Sequence, residues 1–113
     1  MVNGGSYSSE YPDTGGCVHS ETDTILNGKL TGHQTFCLND PSVQGAFDIV
    51  GVVTPIDAQS ASITGQVTIT NDGIRTAPLT GSGISTDSTG RVVLTWSVTD
   101  PRFGGIGGVT YKS

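Results

Sequence analysis

Charged and apolar residues are both scarce in this chain of 113 residues. Only 13% of the residues are charged and 34% are hydrophobic, and both fractions lie below the usual values for globular domains. Low apolar content indicates disorder only when the polar residues are highly charged or unpatterned. Here the good helix formers Ala, Leu and Glu are few, and Ile and Val alternate with Thr and Ser. Because branched side chains suit a pleated surface, the sequence predicts an all-β protein.

Basic clusters and long apolar runs are also missing. The five Lys and Arg residues are scattered, and the formal net charge is −5. Nucleic-acid binding depends on clustered cations, so we expect no nucleic-acid partner. No apolar run approaches the ~20 residues of a membrane-spanning helix, so we expect no membrane span. The N-terminal residues have neither a cationic start nor an apolar stretch, and we expect no signal peptide in this chain.

The chain has two cysteines, Cys17 and Cys37. Two buried free thiols are one interpretation, but a Ser-, Thr- and Gly-rich strand protein with few charges is typical of oxidising compartments. We therefore expect a Cys17–Cys37 disulfide and an extracellular or cell-surface location. No Cys-x-x-Cys pair and no third ligand cluster accompanies them, so we expect no metal and no cofactor.

Apolar residues with a period of two mark the clearest strands. The best examples are residues 47–53, 63–69 and 92–98, each bounded by Asp-, Asn-, Gly- or Pro-containing turns. The whole pattern predicts seven or eight short antiparallel strands, in a small barrel or, alternatively, in a β-sandwich. Glycines recur at mid-strand positions, and they favour the barrel because they let strands bend at its corners.

The predicted domain organisation is simple. Residues 1–16 are expected to form an irregular N-terminal arm, and residues 17–113 a single β domain that carries the disulfide. Within that domain, Asn27-Gly28 lies between short apolar segments, which indicates either a tight hairpin or a continuous strand. We favour the continuous strand, because glycine occurs inside other predicted strands.

Few residues suggest catalysis. The triplet Asp13-Thr14-Gly15 matches the short aspartic-protease motif, but its context is that of a loop. His19 and His33, with nearby acids, are candidate acid–base or metal-binding groups, although their spacing fits no known geometry. The period of its strand places Trp96 in the core. The remaining candidates for ligand contact are mostly aromatic: Tyr7, Tyr11, His33, Phe103 and Tyr111.

Two stretches carry a resemblance to a known class of proteins. They are Leu26-Asn27-Gly28-Lys29-Leu30-Thr31-Gly32, between the two cysteines, and Gly90-Arg91-Val92-Val93-Leu94-Thr95-Trp96. Together with the Gly-punctuated, Thr-rich strands, they resemble small secreted β-barrel proteins of Gram-positive bacteria. These proteins have no assigned activity, so the resemblance implies a fold and a location but transfers no functional residue.

Three functions are compatible with this pattern. The favoured hypothesis is a secreted or surface non-enzymatic β module that binds a small molecule or glycan at a barrel mouth. The alternative is a structural or assembly subunit, in which the N-terminal arm or the Gly-rich tail adds a strand to a neighbour and the chain self-associates. The least favoured is a small β-barrel enzyme that uses His19 or His33.

Overall fold

The chain folds into β-strands alone over the residues that the structure, a computed structural model, describes: 4–69, 74–100 and 105–113. The all-β prediction is confirmed. Nine strands follow one another along the chain: β1 (Gly5–Pro12), β2 (Val18–Leu26), β3 (Lys29–Phe36), β4 (Gly45–Pro55), β5 (Ala61–Ile69), β6 (Arg75–Pro78), β7 (Thr80–Thr86), β8 (Val92–Val98) and β9 (Ile106–Lys112).

Eight of these strands close into an antiparallel barrel. Strands β1 to β5 pair in sequence order, β5 also pairs with β7, and the order continues through β8 and β9 back to β1. The ninth strand, β6, pairs with the second half of β5. The prediction of a small antiparallel barrel is therefore confirmed over the β-sandwich. Closure matters for the site, because it joins the two ends of the sequence at β1 and β9.

Alternate side chains of the strands fill the barrel, as the period of two predicts. Strand β5 shows the pattern clearly, since Ile63, Val67 and Ile69 are buried and the intervening polar residues are more exposed. The buried cluster draws on every strand except β9, whose Ile106 is partly buried against it: Tyr7, Ile25, Leu30, Phe47, Ile49, Val53, Ala61, Ile63, Val67, Ile69, Ala77, Ile84, Leu94, Trp96 and Val98.

Glycines let β4 and β5 approach closely at one place in the barrel wall. Gly51 and Gly65 are directly paired across the two strands. A methyl group at Gly65 would collide with the backbone of Val50 and Gly51. The mid-strand glycines thus have the close-approach role that the sequence indicated.

The Asn27-Gly28 pair forms a hairpin turn, so the preference for a continuous strand was wrong. Both residues have positive φ, 52° and 75°, as a two-residue type I′ turn requires. The turn places Ile25 opposite Leu30, and both side chains are buried. Leu26, which a continuous strand would place on the same face as Leu30, is 69% exposed.

The N-terminal segment also differs from the expected irregular arm over 1–16. Residues Gly5–Pro12 form β1, a full wall strand that pairs with β2 along its whole length. Most of its outward side chains are polar and only Tyr7 is fully buried, so its alternation was difficult to recognise. The local sequence of β1 shows little apolar alternation, but its pairing with β2 fixes it as a strand. Sheet register depends on the partner strand as well as on the sequence.

The Cys17–Cys37 disulfide is present and joins the β1–β2 loop to the end of β3. No helix in the described residues is long and apolar enough to span a membrane.

Replacing both cysteines by serine should lower the free energy of unfolding. The bridge closes a loop with a sequence separation of 20, and the chain-entropy model gives a loss of about 3 kcal/mol for a loop of this size. Urea unfolding followed by Trp96 fluorescence measures the loss. A reducing agent should destabilise the natural protein by the same amount and leave the double variant unaffected. An unchanged urea midpoint on reduction would contradict a stabilising role for this bridge.

Candidate functional site

The seam between β1 and β9 is one of the two shortest junctions of the barrel, and the other is the junction between β5 and β7. Its ladder contains only two residue pairs, Tyr7 with Lys112 and Ser8 with Tyr111. On one side of these pairs the Ser113 N–H donates to the Ser6 carbonyl at 3.0 Å. On the other side the ladder stops, and the Ser9 hydroxyl donates a hydrogen bond to the Val109 carbonyl at 2.5 Å. The barrel wall therefore has a gap in its backbone ladder on one side of Ser9.

A cleft of about 530 Å³ lies along this gap. We call it the seam cleft, and it is lined by Ser9, Glu10, Tyr11, Thr95, Trp96, Gly107, Gly108, Val109 and Tyr111. Tyr11 comes from β1 and Tyr111 from β9, so two predicted ligand residues from opposite ends of the sequence meet at one site. Trp96 is also a lining residue, but its side chain is buried and packs in the core, as predicted.

Tyr11 and Glu10 are two of the polar residues that line the seam cleft, and Ser9, Thr95 and Tyr111 add hydroxyl groups. Burial, together with the nearby Glu21 and Asp13 carboxylates, raises the pKa of Tyr11. Its phenol therefore keeps its proton at neutral pH and can donate a hydrogen bond. Glu10 is an exposed residue of β1 and is one of the residues that line the cleft. The cleft thus combines two tyrosine side chains with further hydroxyl groups and one carboxylate.

A cluster of polar side chains forms hydrogen bonds inside the barrel, behind the cleft. We define it as Glu21, Asp23, Gln34, Trp96 and Thr110, all buried. The Trp96 indole N–H donates to both Glu21 carboxylate oxygens, at 2.9 and 3.0 Å. The Gln34 amide donates to Glu21 Oε1 at 2.7 Å, and the Thr110 hydroxyl donates to Asp23 Oδ2 at 2.7 Å. Buried carboxylates are tolerated because these donors replace water.

Gly108 makes this cluster sterically feasible. A Cβ atom at this position would overlap the Glu21 carboxylate and the Trp96 indole nitrogen. The lack of a side chain therefore lets Glu21 and Trp96 approach each other behind β9. Glycine in a strand often marks such a close approach.

Asp23 is the exceptional member of the cluster. Burial, and then the neighbouring Glu21 carboxyl, raise the pKa of Asp23 to about 9, well above its usual range. The carboxyl is consequently protonated at neutral pH. Among the residues that the structure describes, its Oδ1 has no hydrogen-bond partner, and neither does the buried hydroxyl of Tyr7, the residue paired with Asp23 across β1 and β2.

Tyr7 itself lies inside the barrel. The sequence suggested an exposed aromatic contact, but Tyr7 is 1% exposed and belongs to the core. Its inward direction follows from β1 being a wall strand, since every second residue of such a strand faces the interior. Tyr7 therefore does not contribute to the seam cleft.

A second pocket of about 480 Å³ opens at the end of the barrel that holds the disulfide. We call it the mouth pocket, and its lining is largely apolar: Tyr11, Asp13, His19, Gln34, Phe36, Phe47, Ile69, Gly105, Ile106 and Gly107. It shares Tyr11 and Gly107 with the seam cleft. The Tyr11 ring stacks on the His19 ring with centroids 5.2 Å apart.

His19 is fully engaged by its neighbours. Its Nε2 lies 2.8 Å from Asp13 Oδ2 and its Nδ1 lies 2.9 Å from Gln34 Oε1. The hydrogen bond with His19 lowers the pKa of Asp13, so this carboxylate is ionised. Both partners of the ring are acceptors, because the Gln34 amide nitrogen is already directed at Glu21. Both ring nitrogens therefore lie within hydrogen-bond distance of side-chain oxygens of the protein.

Asp13 also organises its own loop. Its Oδ1 accepts hydrogen bonds from the backbone N–H groups of Gly15, at 2.8 Å, and Cys17, at 3.0 Å. This is the geometry of an Asp-stabilised turn. The Asp13-Thr14-Gly15 triplet is therefore a loop, as the sequence analysis expected.

The other predicted site residues lie elsewhere. His33 is on the exposed face of β3, 2.8 Å from Asp48, and lines neither the seam cleft nor the mouth pocket. Phe103 lies outside the described residues. Among those that are described, no group of three or more His, Cys, Asp or Glu side chains could hold a metal ion.

Fold and site together define the chain as a small, closed, antiparallel β-barrel with an aromatic cleft in its wall. Comparisons with family models, curated proteins and solved structures found no match to this chain.

Proposed function

We propose that this chain is an extracellular or cell-surface, non-enzymatic β-barrel that binds a small molecule or glycan in the seam cleft. One observation carries the proposal: barrel closure brings Tyr11 and Tyr111, from opposite ends of the sequence, to the same cleft. Ligand pockets are concave and mostly apolar, with a few convergent polar groups and volumes of roughly 300–1,000 Å³. The seam cleft fits each of these criteria.

The location rests on the disulfide. Structural disulfides persist in oxidising environments and are rare in the reducing cytosol. The Cys17–Cys37 bridge and the low charge content support export, and the resemblance to secreted Gram-positive barrels is consistent with it.

The contacts and positions of the two histidines favour binding over catalysis. A general base must lie within hydrogen-bond reach of the proton that it takes from the substrate. Both nitrogens of His19 are bonded to protein acceptors. His33 lies on an exposed strand face, away from both larger pockets. The aromatic residues of the cleft, in contrast, offer ring faces and hydroxyl groups for recognition.

Strand addition is the alternative function, and the short seam gives it some support. A ladder of only two residue pairs is a place where a neighbour's strand could enter. Against it, β1 and β9 are both paired on two sides within the same chain, which leaves neither the arm nor the tail as a free strand. A native mass that rises with protein concentration would favour this alternative.

Binding in the seam cleft can be tested with the neutral fluorescent probe N-phenyl-1-naphthylamine. We expect saturable fluorescence enhancement with the natural protein. The substitution Val109→Phe should reduce probe affinity about tenfold, because the larger ring occupies the cleft that Val109 lines.

The matched control is Val50→Phe. Val50 is an exposed valine on β4, outside the seam cleft, and the same substitution there should leave probe affinity unchanged. Equal affinity of all three proteins, or no saturable binding to any of them, would refute the proposed site.

A further inference from the structure

The ladder between β1 and β9 stops although both strands continue along the seam cleft. The last pair on this side is Ser8 with Tyr111. In the same register Glu10 would lie opposite Val109, but these two residues are not paired. The seam cleft therefore lies between two stretches of strand whose facing backbone edges form no ladder with each other.

The backbone N–H and C=O groups of Glu10 point toward this seam. Along a strand, the backbone groups of successive residues point alternately to the two neighbouring strands. The Ser6 carbonyl accepts from Ser113 on the β9 side, and the Asp13 N–H donates to Cys17 on the β2 side. Even-numbered residues of β1 therefore face β9, and Glu10 is one of them. Within the described part of the chain, no strand pairs with Glu10 on that side.

Two residues of β1 oppose closure of the ladder. The Ser9 hydroxyl donates to the Val109 carbonyl, which is the acceptor that the Glu10 N–H would use in a longer ladder. A side-chain donor thus takes the place of a backbone donor. Pro12 follows on the same side of β1 and has no N–H to donate. The backbone groups of Glu10 consequently remain available at the wall of the cleft.

An N–H and a C=O on one strand residue match the backbone of an extended peptide. In an antiparallel ladder, such a residue exchanges two hydrogen bonds with a single residue opposite. A single acetamido group cannot replace that partner, because its N–H and C=O point in opposite directions across a trans amide. Addition of a peptide to an exposed strand edge is a common mode of recognition.

The opposite wall of the cleft adds a donor and little bulk. The Val109 carbonyl accepts from Ser9 across the seam, and the N–H of a strand residue points to the same side as its C=O. The Val109 N–H therefore faces the seam as well. Gly107 and Gly108 line the same wall and have no side chains to fill the cleft. The volume of about 530 Å³ lies within the range of small-ligand sites.

We propose that the ligand of the seam cleft is a short, extended peptide whose backbone pairs with the N–H and C=O groups of Glu10. This inference rests on the proposed function and narrows its ligand class, because a short peptide is one kind of small molecule. The backbone hydrogen bonds provide the affinity, so peptides with different side chains share the mode of binding.

The test compares the neutral peptide acetyl-Val-Thr-Val-amide with its depsipeptide, in which an ester oxygen replaces each backbone N–H of the three residues. Branched side chains favour the extended conformation in both ligands. We expect the peptide to shift the Glu10 amide resonance of the ¹⁵N-labelled protein saturably. The depsipeptide should bind about tenfold more weakly, because it cannot donate a hydrogen bond to the Glu10 carbonyl.

The substitution Glu10→Pro tests the other hydrogen bond. It removes an N–H that faces the seam and that the β1–β2 ladder does not use, and proline is tolerated at such strand edges. Calorimetric titration should show about tenfold weaker peptide binding. The matched control is Ala58→Pro, in the exposed turn between β4 and β5 and outside the cleft. This control should bind the peptide normally.

The outcomes separate the two proposals. Equal affinity for the peptide and the depsipeptide, or equal affinity of Glu10→Pro and Ala58→Pro for the peptide, overturns the backbone pairing. If Glu10→Pro fails to fold, the comparison of the two ligands decides alone. Binding of N-phenyl-1-naphthylamine without any binding of the peptide rejects the peptide class and leaves the proposed function standing. If neither the peptide nor the naphthylamine probe binds, both proposals fail.

Discussion

Replacing Trp96 by phenylalanine should destabilise the barrel by about 4 kcal/mol. The substitution has two costs. The smaller ring leaves a cavity in the core, where Trp96 packs edge-on against Phe47 at 5.9 Å. It also removes the N–H that serves both oxygens of the buried Glu21, and an unsatisfied buried charge costs more than a lost neutral hydrogen bond. Urea unfolding monitored by circular dichroism measures the total.

A double-mutant cycle separates these two costs. Glu21→Gln keeps the shape of the side chain but removes its charge, so Trp96→Phe should be less damaging in that background than in the natural protein. The coupling should be about 1–2 kcal/mol, in the range found for partners in one hydrogen-bond network. Strictly additive effects would show that the Trp96–Glu21 contact contributes nothing specific to the fold.

The stability of the protein should fall as the pH rises from weakly acidic to weakly basic. The pKa of Asp23 is raised in the folded state from 3.8 to about 9, first by burial and then by Glu21. Between these values the folded state holds a proton that the unfolded state has lost. The Asp23 proton therefore gives its full stabilisation below pH ~4, and this stabilisation is lost as pH rises toward 9. The free energy of unfolding falls by up to about 1.4 kcal/mol per pH unit in this range.

Asp23→Asn isolates this effect. The amide cannot ionise, so we expect the variant to lose most of the pH dependence and to be more stable than the natural protein at pH 8. Urea unfolding at pH 5, 6, 7 and 8 gives the slope of the unfolding free energy against pH for the natural protein and for Asp23→Asn. The control Asp40→Asn removes an exposed carboxyl and should keep the natural slope. Parallel slopes for the natural protein and Asp23→Asn would show that Asp23 does not bind this proton.

Much of the fold could be predicted because burial in a barrel follows the strand period. The segments around Phe47–Val53, Ile63–Ile69 and Val92–Val98 alternate clearly, and all three are wall strands as expected. Recurrent mid-strand glycine indicated a barrel, and the contact between Gly51 and Gly65 shows the physical reason. These signals are local, so a single sequence contains them.

Two errors arose where the decisive interactions are not local. The Asn27-Gly28 segment was ambiguous, because a hairpin and a continuous strand each place apolar residues on one face. The observed pairing of Ile25 with Leu30 across the turn shows that the hairpin forms. Strand β1 has little apolar alternation of its own. It is held by β2 and β9, and β9 lies at the opposite end of the sequence.

The site was predictable in part. Tyr11 and Tyr111 were proposed as ligand residues because of their type, and closure of the barrel brings them together. The interior polar cluster was missed, although its signal exists: Glu21 and Asp23 have the same strand phase as the buried Ile25. Acidic side chains are buried only where hydrogen-bond donors face them, and here Trp96 and Gln34 are such donors. Which donors face these acids becomes known only from the fold.

The most direct test is chemical-shift mapping of the ¹⁵N-labelled protein during titration with indole, a soluble neutral aromatic probe. If the seam cleft is the ligand site, the amide shifts should concentrate at residues 9–11, 95–96 and 107–111 and should saturate together. The wall formed by residues 50–52 and 64–66 provides an internal control and should not respond. Shifts confined to that wall, or no saturable shift anywhere, would contradict a binding site at the junction of β1 and β9.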